Sequence, residues 1–271
     1  MNGSLLRLLP ALAAIATIVP AALAAGGGGP DGPPLLPDLD QEAPSGLVLT
    51  KARSGWRLGF DSAVRNIGAG PLIIDGERPT SAETITAEQV VVHESGPHTV
   101  VTGVGRLRYV RSRDHRHWHL LGFDRYELRR ANSDEPVVAD RKSGFCLGDR
   151  YPVRTRVVPA KPAKPVFRSR CGLEQSSLAS VREGISPGYG DDYAANLEGQ
   201  YLPLNGLRPG RYLLVHRVNV DHRIRESAYD NNASSLLLSL RRGDGAPRMR
   251  VLAVCPDTEH CSAGTQRARS R

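Results

Sequence analysis

Short runs in which apolar and polar residues alternate recur along most of this chain. In GWRLGF, Trp56, Leu58 and Phe60 share one face of an extended strand, and RYLLVHRVNV places its apolar residues in the same way. Further short runs, bounded by turn residues, read QVVVH, DRYEL, SSLLLSL and PRMRVLAV. The one helical candidate is EQSSLASVRE at 174–183. The pattern predicts a mainly β fold, an antiparallel β-sandwich with long functional loops.

The beginning of the chain has the pattern of an export signal. Arg7 precedes an apolar run that ends in the small residues Ala22-Leu23-Ala24. The run contains two prolines and is short for a membrane span, and no second apolar stretch of spanning length follows it. We therefore expect residues 1–24 to be a signal peptide, and the mature protein to be secreted, extracellular or periplasmic, without a membrane span.

Composition divides the rest of the chain. Residues 25–35 are rich in Gly and Pro and are expected to form a linker, 36–261 a single catalytic domain, and 262–271 a basic tail. Two segments of the domain, 157–167 and 186–200, look irregular and long. Long irregular loops inside compact domains are often functional, so the second is a candidate wall of the site.

The charge gives little support to a nucleic-acid partner. The formal net charge is +8, but Arg7 lies in the signal and Arg267, Arg269 and Arg271 lie in the tail. No block of Lys and Arg interleaved with aromatic residues occurs elsewhere. The charge and the export signal together predict no nucleic-acid binding, and only mild attraction to acidic surfaces.

The chain has four cysteines, Cys146, Cys171, Cys255 and Cys261. An even number in an exported chain favours two disulfides over a metal cluster. Three pairings are possible. We expect Cys146–Cys171 with Cys255–Cys261, which close the shortest loops.

The stretch HRHWH places three of the eight histidines at alternate positions. In an extended strand His115, His117 and His119 share one face, with neighbours about 7 Å apart and the outer pair about 13 Å apart. A metal site made by all three therefore requires a bend or bulge in the strand. Three imidazoles favour Cu, Zn, Ni or Fe over Mg or Ca, and the affinity order puts copper first.

The segment DHRHWHLLGFDRYEL resembles the copper-binding segment of lysyl oxidases. RKSGFCLGD at 141–149 and GISPGYGDDY at 184–193 are similar to the family's two cofactor segments, in the same order. RLGFDSAVRNIGAGPL at 57–72 resembles its first core strand, and LRPGRYLL with ESAYDNN at 226–232 resembles its closing strand and turn. The resemblance covers about residues 36–240. With only four cysteines, the chain looks like a reduced, bacterial-type member.

This resemblance implies that His115, His117 and His119 bind Cu²⁺ and that Lys142 and Tyr193 are joined as lysine tyrosylquinone. It implies a secreted amine oxidase that uses O₂ to convert primary amines, including lysine side chains of proteins, to aldehydes. Ammonia and hydrogen peroxide are the other products. A quinone of this kind is an electrophile that reacts covalently with a primary amine.

The reaction also needs a base close to the bound amine. The carboxylates nearest in sequence to the expected site residues are Asp114, Asp191 and Asp192, and the sequence does not show which of them is the base. Two other tyrosines, Tyr189 and Tyr201, lie near the expected cofactor tyrosine and could be confused with it in an alignment.

The resemblance further implies a structural calcium ion. Its expected ligands, Asp38, Glu226, Asn231 and Asn232, offer the hard oxygen donors that Ca²⁺ prefers. The pair Asn231-Asn232 is equally typical of a simple hairpin turn.

Two other functions stay open on the sequence. A non-catalytic extracellular metal-binding β-sandwich would keep the histidines and lack the quinone. A mononuclear iron or copper oxygenase would use the histidines alone, and its activity would survive the loss of Lys142.

Overall fold

The structure is a computed structural model that describes residues 32–78, 82–112, 115–139, 144–154, 156–168, 170–243 and 245–264. The expected signal peptide, most of the linker and of the basic tail, Asp114 and Lys142 lie outside the described residues. The part of the chain that is described contains no α-helix, and so no helix that is long and apolar enough to cross a lipid bilayer. The mainly β expectation is confirmed.

The described residues form seventeen strands. In chain order they are β1 (Pro34–Leu35), β2 (Leu39–Gln41), β3 (Ser45–Ala52), β4 (Gly55–Asn66), β5 (Leu72–Glu77), β6 (Thr84–His93), β7 (His98–Arg111), β8 (Arg116–Leu120), β9 (Asp124–Arg130), β10 (Pro136–Ala139), β11 (Tyr151–Pro152), β12 (Ser180–Ile185), β13 (Tyr189–Tyr193), β14 (Tyr201–Pro203), β15 (Gly210–Val218), β16 (Ala233–Arg241) and β17 (Arg248–Cys255). The six runs predicted from alternation fall in β4, β6, β9, β15, β16 and β17.

These strands make three antiparallel sheets. The first has the order β12-β5-β6-β7-β8, with β1 beside β6, and the second has the order β10-β9-β15-β16-β17. In the third, β11-β13-β4-β14, the long strand β4 also pairs with β2 and β3. All three sheets contribute residues to one main hydrophobic core, among them Leu58 and Phe60 of β4, Ile74 of β5 and Leu214 of β15. The core therefore fixes the histidine strand β8 relative to β13.

Two expectations about local structure are wrong. The helical candidate 174–183 is turns followed by β12, which pairs with β5. Its Val181 and Glu183 point inward while Arg182 is exposed, so the residues follow period two once a sheet edge is available. The segment 186–200 is not irregular throughout, because β13 lies within it and pairs with β4. Its sequence YGDDY has no apolar alternation that could have indicated a strand.

Both expected disulfides are present, Cys146–Cys171 and Cys255–Cys261. The first connects the segment that follows β10 to the turns that precede β12. The carbonyl oxygen of Cys171 accepts a hydrogen bond from the backbone N–H of Trp118 at 2.9 Å. This disulfide therefore fastens two loops to the histidine strand.

Candidate functional site

The histidine strand β8 is fixed on both sides. It pairs with β7, with His117 opposite Val110 and His119 opposite Arg108. Trp118 and Leu120 project from the opposite face and are fully buried. Because side chains alternate along a strand, burying Trp118 and Leu120 in the core directs His117 and His119 together to the other face.

The three histidine rings converge. Their centroids are 5.4 Å apart for His115 and His117, 4.7 Å for His117 and His119, and 5.0 Å for the outer pair His115 and His119. An ideal strand would separate the outer residues by about 13 Å. His115 lies just before β8, and its carbonyl oxygen accepts the N–H of Ser112 at 2.8 Å. The structure thus brings together the three residues that the sequence predicted, with the outer one displaced from the strand.

The donor set suits a transition metal. One ring nitrogen of each histidine lies within 4.8 Å of the others, and Nδ1 of His115 is 3.4 Å from Nε2 of His117. Two nitrogens bound to one metal at about 2.0–2.1 Å lie about 3.3 Å apart in tetrahedral geometry. His115 and His119 are buried and His117 is half-buried, so water access is limited. Three imidazole nitrogens fit copper, zinc, nickel or iron better than magnesium or calcium.

Tyr193 ends β13 with its hydroxyl group inside the protein. The hydroxyl donates a hydrogen bond to the carbonyl oxygen of Cys146 at 2.9 Å and accepts one from the Cys146 N–H at 2.7 Å. The ring lies edge to face against Phe145, with centroids 4.8 Å apart. Burial, followed by the charge of Asp191, raises the pKa of Tyr193 well above its ordinary value of 10.0.

The segment that holds Tyr193 also touches the histidine strand. Phe145 exchanges two backbone hydrogen bonds with Leu120, the residue after His119, at 2.8 and 3.1 Å. Gly144 passes so close that a Cβ there would lie 2.5 Å from the carbonyl oxygen of Leu120. Lys142, three positions before Phe145 in the sequence, lies outside the described residues. Phe145 and Cys146 therefore connect the histidine strand to the phenol of Tyr193.

The three candidate bases differ in environment. Asp191 is buried and pairs with Arg150, whose Nε is 3.2 Å from Oδ1 of Asp191. Asp192 is exposed. The surrounding protein partly desolvates Asp192 and raises its pKa. Asp114 lies outside the described residues.

Sequence reasoning missed two carboxylates beside Tyr193. An open cleft of about 340 Å³, the Tyr193 cleft, is lined by Glu42, Asp61, Tyr151, Asp192 and Tyr193 together with small residues. Glu42 follows β2 and Asp61 lies in β4, more than 130 positions before Tyr193. Only the pairing of β2 and β13 with β4 brings them to the cleft, so no local motif could have indicated them.

Glu183 is a further carboxyl that the sequence did not indicate. It lies on the inward face of β12 and is 1% exposed. Burial raises the pKa of Glu183 well above its ordinary range, and the charge of Asp191 adds to the effect. Glu183 and Asp191 both contribute to the raised pKa of Tyr193, so they form an acidic interior behind the phenol.

The expected calcium ligands also meet. Nδ2 of Asn231 donates to Oδ1 of Asp38 at 2.7 Å, and Nδ2 of Asn232 donates to Oε1 of Glu226 at 2.9 Å. Oε2 of Glu226 accepts the N–H of Leu39 at 2.7 Å. Within the described residues, the buried side-chain oxygens of Asn231 and Asn232 accept no hydrogen bond. Burial raises the pKa of Glu226 to about 7. Free buried oxygens next to two carboxylates fit a hard cation.

The lysyl oxidase family model matches residues 88–243, more than half of the chain, and this span includes the three histidines and Tyr193. The chain belongs to the lysyl oxidase family. Human protein-lysine 6-oxidase is 29% identical to this lysyl oxidase family member over 122 residues, which cover 44% of the chain and 25% of the human protein. Human lysyl oxidase homolog 1 is also 29% identical over 122 residues, which cover 44% of the chain and 18% of that protein. Lysyl oxidase homolog 2B of Danio rerio is 27% identical over 146 residues, which cover 52% of the chain and 16% of that protein. The chain spans a quarter or less of the length of these relatives.

Proposed function

We propose that this lysyl oxidase family member is a secreted, copper-dependent amine oxidase. It converts primary amines, including lysine side chains of proteins, to aldehydes with release of ammonia and hydrogen peroxide. In this proposal residues 36–261 are the catalytic domain and residues 1–24 are removed on export. The observation that carries the proposal is the position of the chain after Lys142, which contacts the histidine strand on one side and the hydroxyl of Tyr193 on the other.

His115, His117 and His119 would hold Cu²⁺. The convergence of one nitrogen from each ring within 4.8 Å supports this assignment. Copper leads the affinity order of divalent first-row metals, and imidazole is a ligand that it prefers.

Lys142 and Tyr193 would be joined as lysine tyrosylquinone, which supplies an electrophilic carbonyl that a primary amine can attack. The two hydrogen bonds from the backbone of Cys146 and the ring of Phe145 hold the phenol in one orientation. The disulfide Cys146–Cys171 holds that backbone in turn. These contacts restrict the Tyr193 ring and keep it beside Phe145 and Cys146, which follow Lys142 in the sequence.

The Tyr193 cleft would receive the amine. Its carboxylates, Glu42, Asp61 and Asp192, attract an ammonium group, which is the protonated form of a primary amine near neutral pH. Asp192 is the best-supported base, because it is exposed to solvent and its pKa is raised toward the working range. Asp191 is less suited, since it is buried and paired with Arg150.

A calcium ion would be held by Asp38, Glu226, Asn231 and Asn232. Its charge would compensate the buried carboxylate of Glu226. The ion would tie the entry segment before β2 to the turn before β16.

The decisive experiment measures peroxide release from a primary amine by copper-loaded, aerated protein. Lys142→Arg and Tyr193→Phe should abolish release while the bound copper stays unchanged. Tyr201→Phe is the matched control and should keep the activity. Full activity in Lys142→Arg would instead favour an oxygenase that uses the histidines alone. No activity in wild-type protein that binds copper would favour a non-catalytic metal-binding role.

A further inference from the structure

Lysine is scarce in this chain. Of 36 Lys and Arg residues only four are lysines, namely Lys51, Lys142, Lys161 and Lys164. The last two lie in the repeat AKPAKP, inside a stretch that we call the cationic segment, residues 154–170. This segment contains six Lys and Arg residues and no acidic residue.

Lys164 is the lysine of this segment that projects into solvent. It is exposed, and no hydrogen bond or ion pair holds its side chain within the described residues. Residues 156–168 form no strand, and Pro165 has no N–H that could join a sheet. Val157 and Val166 on either side are 89% and 63% exposed. The protein therefore presents Lys164 on a segment that another molecule can reach from outside.

The neighbouring backbone is anchored to its own protein. The hydroxyl of Tyr189 donates to the carbonyl oxygen of Pro162 at 3.3 Å, and Oδ2 of Asp149 accepts the N–H of Val166 at 2.7 Å. Lys164 lies between these two anchors. The anchors hold the backbone on both sides of Lys164 against its own protein.

The other two described lysines have different surroundings. The ammonium group of Lys161 lies 5.1 Å from the centre of the Tyr189 ring, a cation–π contact, and the residue is half-buried. Lys51 lies in β3, paired with Trp56 of β4. Lys51 is exposed, but its backbone is fixed in a strand, whereas the backbone around Lys164 belongs to no strand.

The cleft and the segment are complementary in charge. Asp61, Asp192 and Glu42, which pairs with Arg65 at 3.4 Å, line the Tyr193 cleft, and the segment that carries Lys164 contains six basic residues and no acidic one. We propose that Lys164 of one copy of this chain is a substrate of the Tyr193 cleft of a second copy. The proposal rests on the amine oxidase function proposed above. The second copy accepts the Lys164 side chain from an exposed bend that lies between Pro162 and Pro165.

The reaction balances with oxygen and water. The bond between Cε and Nζ of Lys164 breaks, and two electrons pass from this carbon to O₂, which becomes hydrogen peroxide. Water supplies the oxygen of the new aldehyde, and the nitrogen leaves as ammonium. The modified residue has lost its positive charge and carries a reactive carbonyl group.

The test uses a chain that cannot oxidise itself. An affinity-tagged Tyr193→Phe chain is incubated in air with untagged, copper-loaded wild-type protein. A hydrazide probe then captures aldehydes, and tandem mass spectrometry locates the labelled residues. We expect the label at Lys164 of the tagged chain, about fivefold above Lys161, because the cation–π contact holds Lys161 back. A tagged Tyr193→Phe chain that also carries Lys164→Arg should lose this label. A tagged Lys142→Arg chain serves as a second inactive substrate, in case Tyr193→Phe does not fold.

The same samples are assayed with a small primary amine, which separates the two proposals. Peroxide from the small amine without label at Lys164 overturns this proposal and leaves the amine oxidase function intact. No peroxide from the small amine overturns both. Label at Lys164 only in wild-type chains, and never in the tagged chain, overturns the assignment to a second copy.

Discussion

Removing the hydroxyl group of Tyr193 tests how firmly the structure holds the proposed cofactor tyrosine. In copper-free protein, Tyr193→Phe deletes two hydrogen bonds and leaves the N–H and the carbonyl oxygen of Cys146 without this partner. Cys146 is 1% exposed, so water cannot readily replace the hydroxyl. Each of these two buried backbone groups, left unsatisfied, costs about 1–3 kcal/mol. The variant no longer has to desolvate the phenol hydroxyl, which offsets part of the combined loss. We expect the free energy of unfolding to fall by about 2–3 kcal/mol.

Urea denaturation of copper-free protein with intact disulfides measures this loss as a lower midpoint at unchanged slope. Tyr201→Phe is the matched control. Its ring packs against the guanidinium of Arg57 at 4.0 Å, and its hydroxyl makes no hydrogen bond within the described residues. The control should lose less than about 0.5 kcal/mol. Equal losses in the two variants would refute the claim that the backbone of Cys146 holds the Tyr193 hydroxyl.

Three further predictions follow from the geometry. His117→Ala should remove stoichiometric copper binding and the Cu(II) spin-resonance signal; an unchanged signal would show that His117 is not a ligand. Because burial raises the pKa of Glu226 from 4.5 to about 7, folded protein keeps this proton to higher pH than unfolded protein. In chelator-treated protein the free energy of unfolding should therefore fall by up to about 3 kcal/mol as pH rises from about 4.5 to 7, and Glu226→Gln should flatten this slope. A disulfide that closes a longer loop restricts the unfolded chain more, and Cys146–Cys171 spans 25 positions whereas Cys255–Cys261 spans 6. Replacing both cysteines by serine should therefore lower the free energy of unfolding by about 3.5 kcal/mol for the first pair and by about 2 kcal/mol for the second. Equal losses in urea denaturation would contradict this dependence on loop length.

The strands that sequence could predict are those with apolar residues on one face. β4 alternates over many residues and the core buries its apolar face, so periodicity is sufficient there. β15 was predicted from one apolar face, and the structure buries its other face as well: Leu214 lies in the main core and Val215 in a second apolar cluster. β7 escaped prediction because most of its side chains are exposed and two glycines with positive φ, Gly103 and Gly105, interrupt it. β12 was misjudged because its strand character depends on pairing with β5, which no local pattern in the segment encodes.

The candidate site likewise contains some residues that the sequence could indicate and others that it could not. The cluster of histidines was predictable because they are neighbours in sequence, and the meeting of Asp38, Glu226, Asn231 and Asn232 because the resemblance named them. The contact between Tyr193 and Cys146 joins residues 47 positions apart. Glu42 and Asp61 reach the Tyr193 cleft only through ladders with β4. Such contacts depend on which strands pair, and this information is spread over the whole chain.

The central claim is that Lys142 and Tyr193 form one cofactor beside the histidine site. Its most direct measurement is tandem mass spectrometry of protein that has been loaded with copper and exposed to air, with copper-free protein as the reference. We predict that the peptides containing Lys142 and Tyr193 are covalently linked in the copper-loaded sample and separate in the reference. Separate, unmodified peptides in protein that has bound one copper ion per chain would contradict the account.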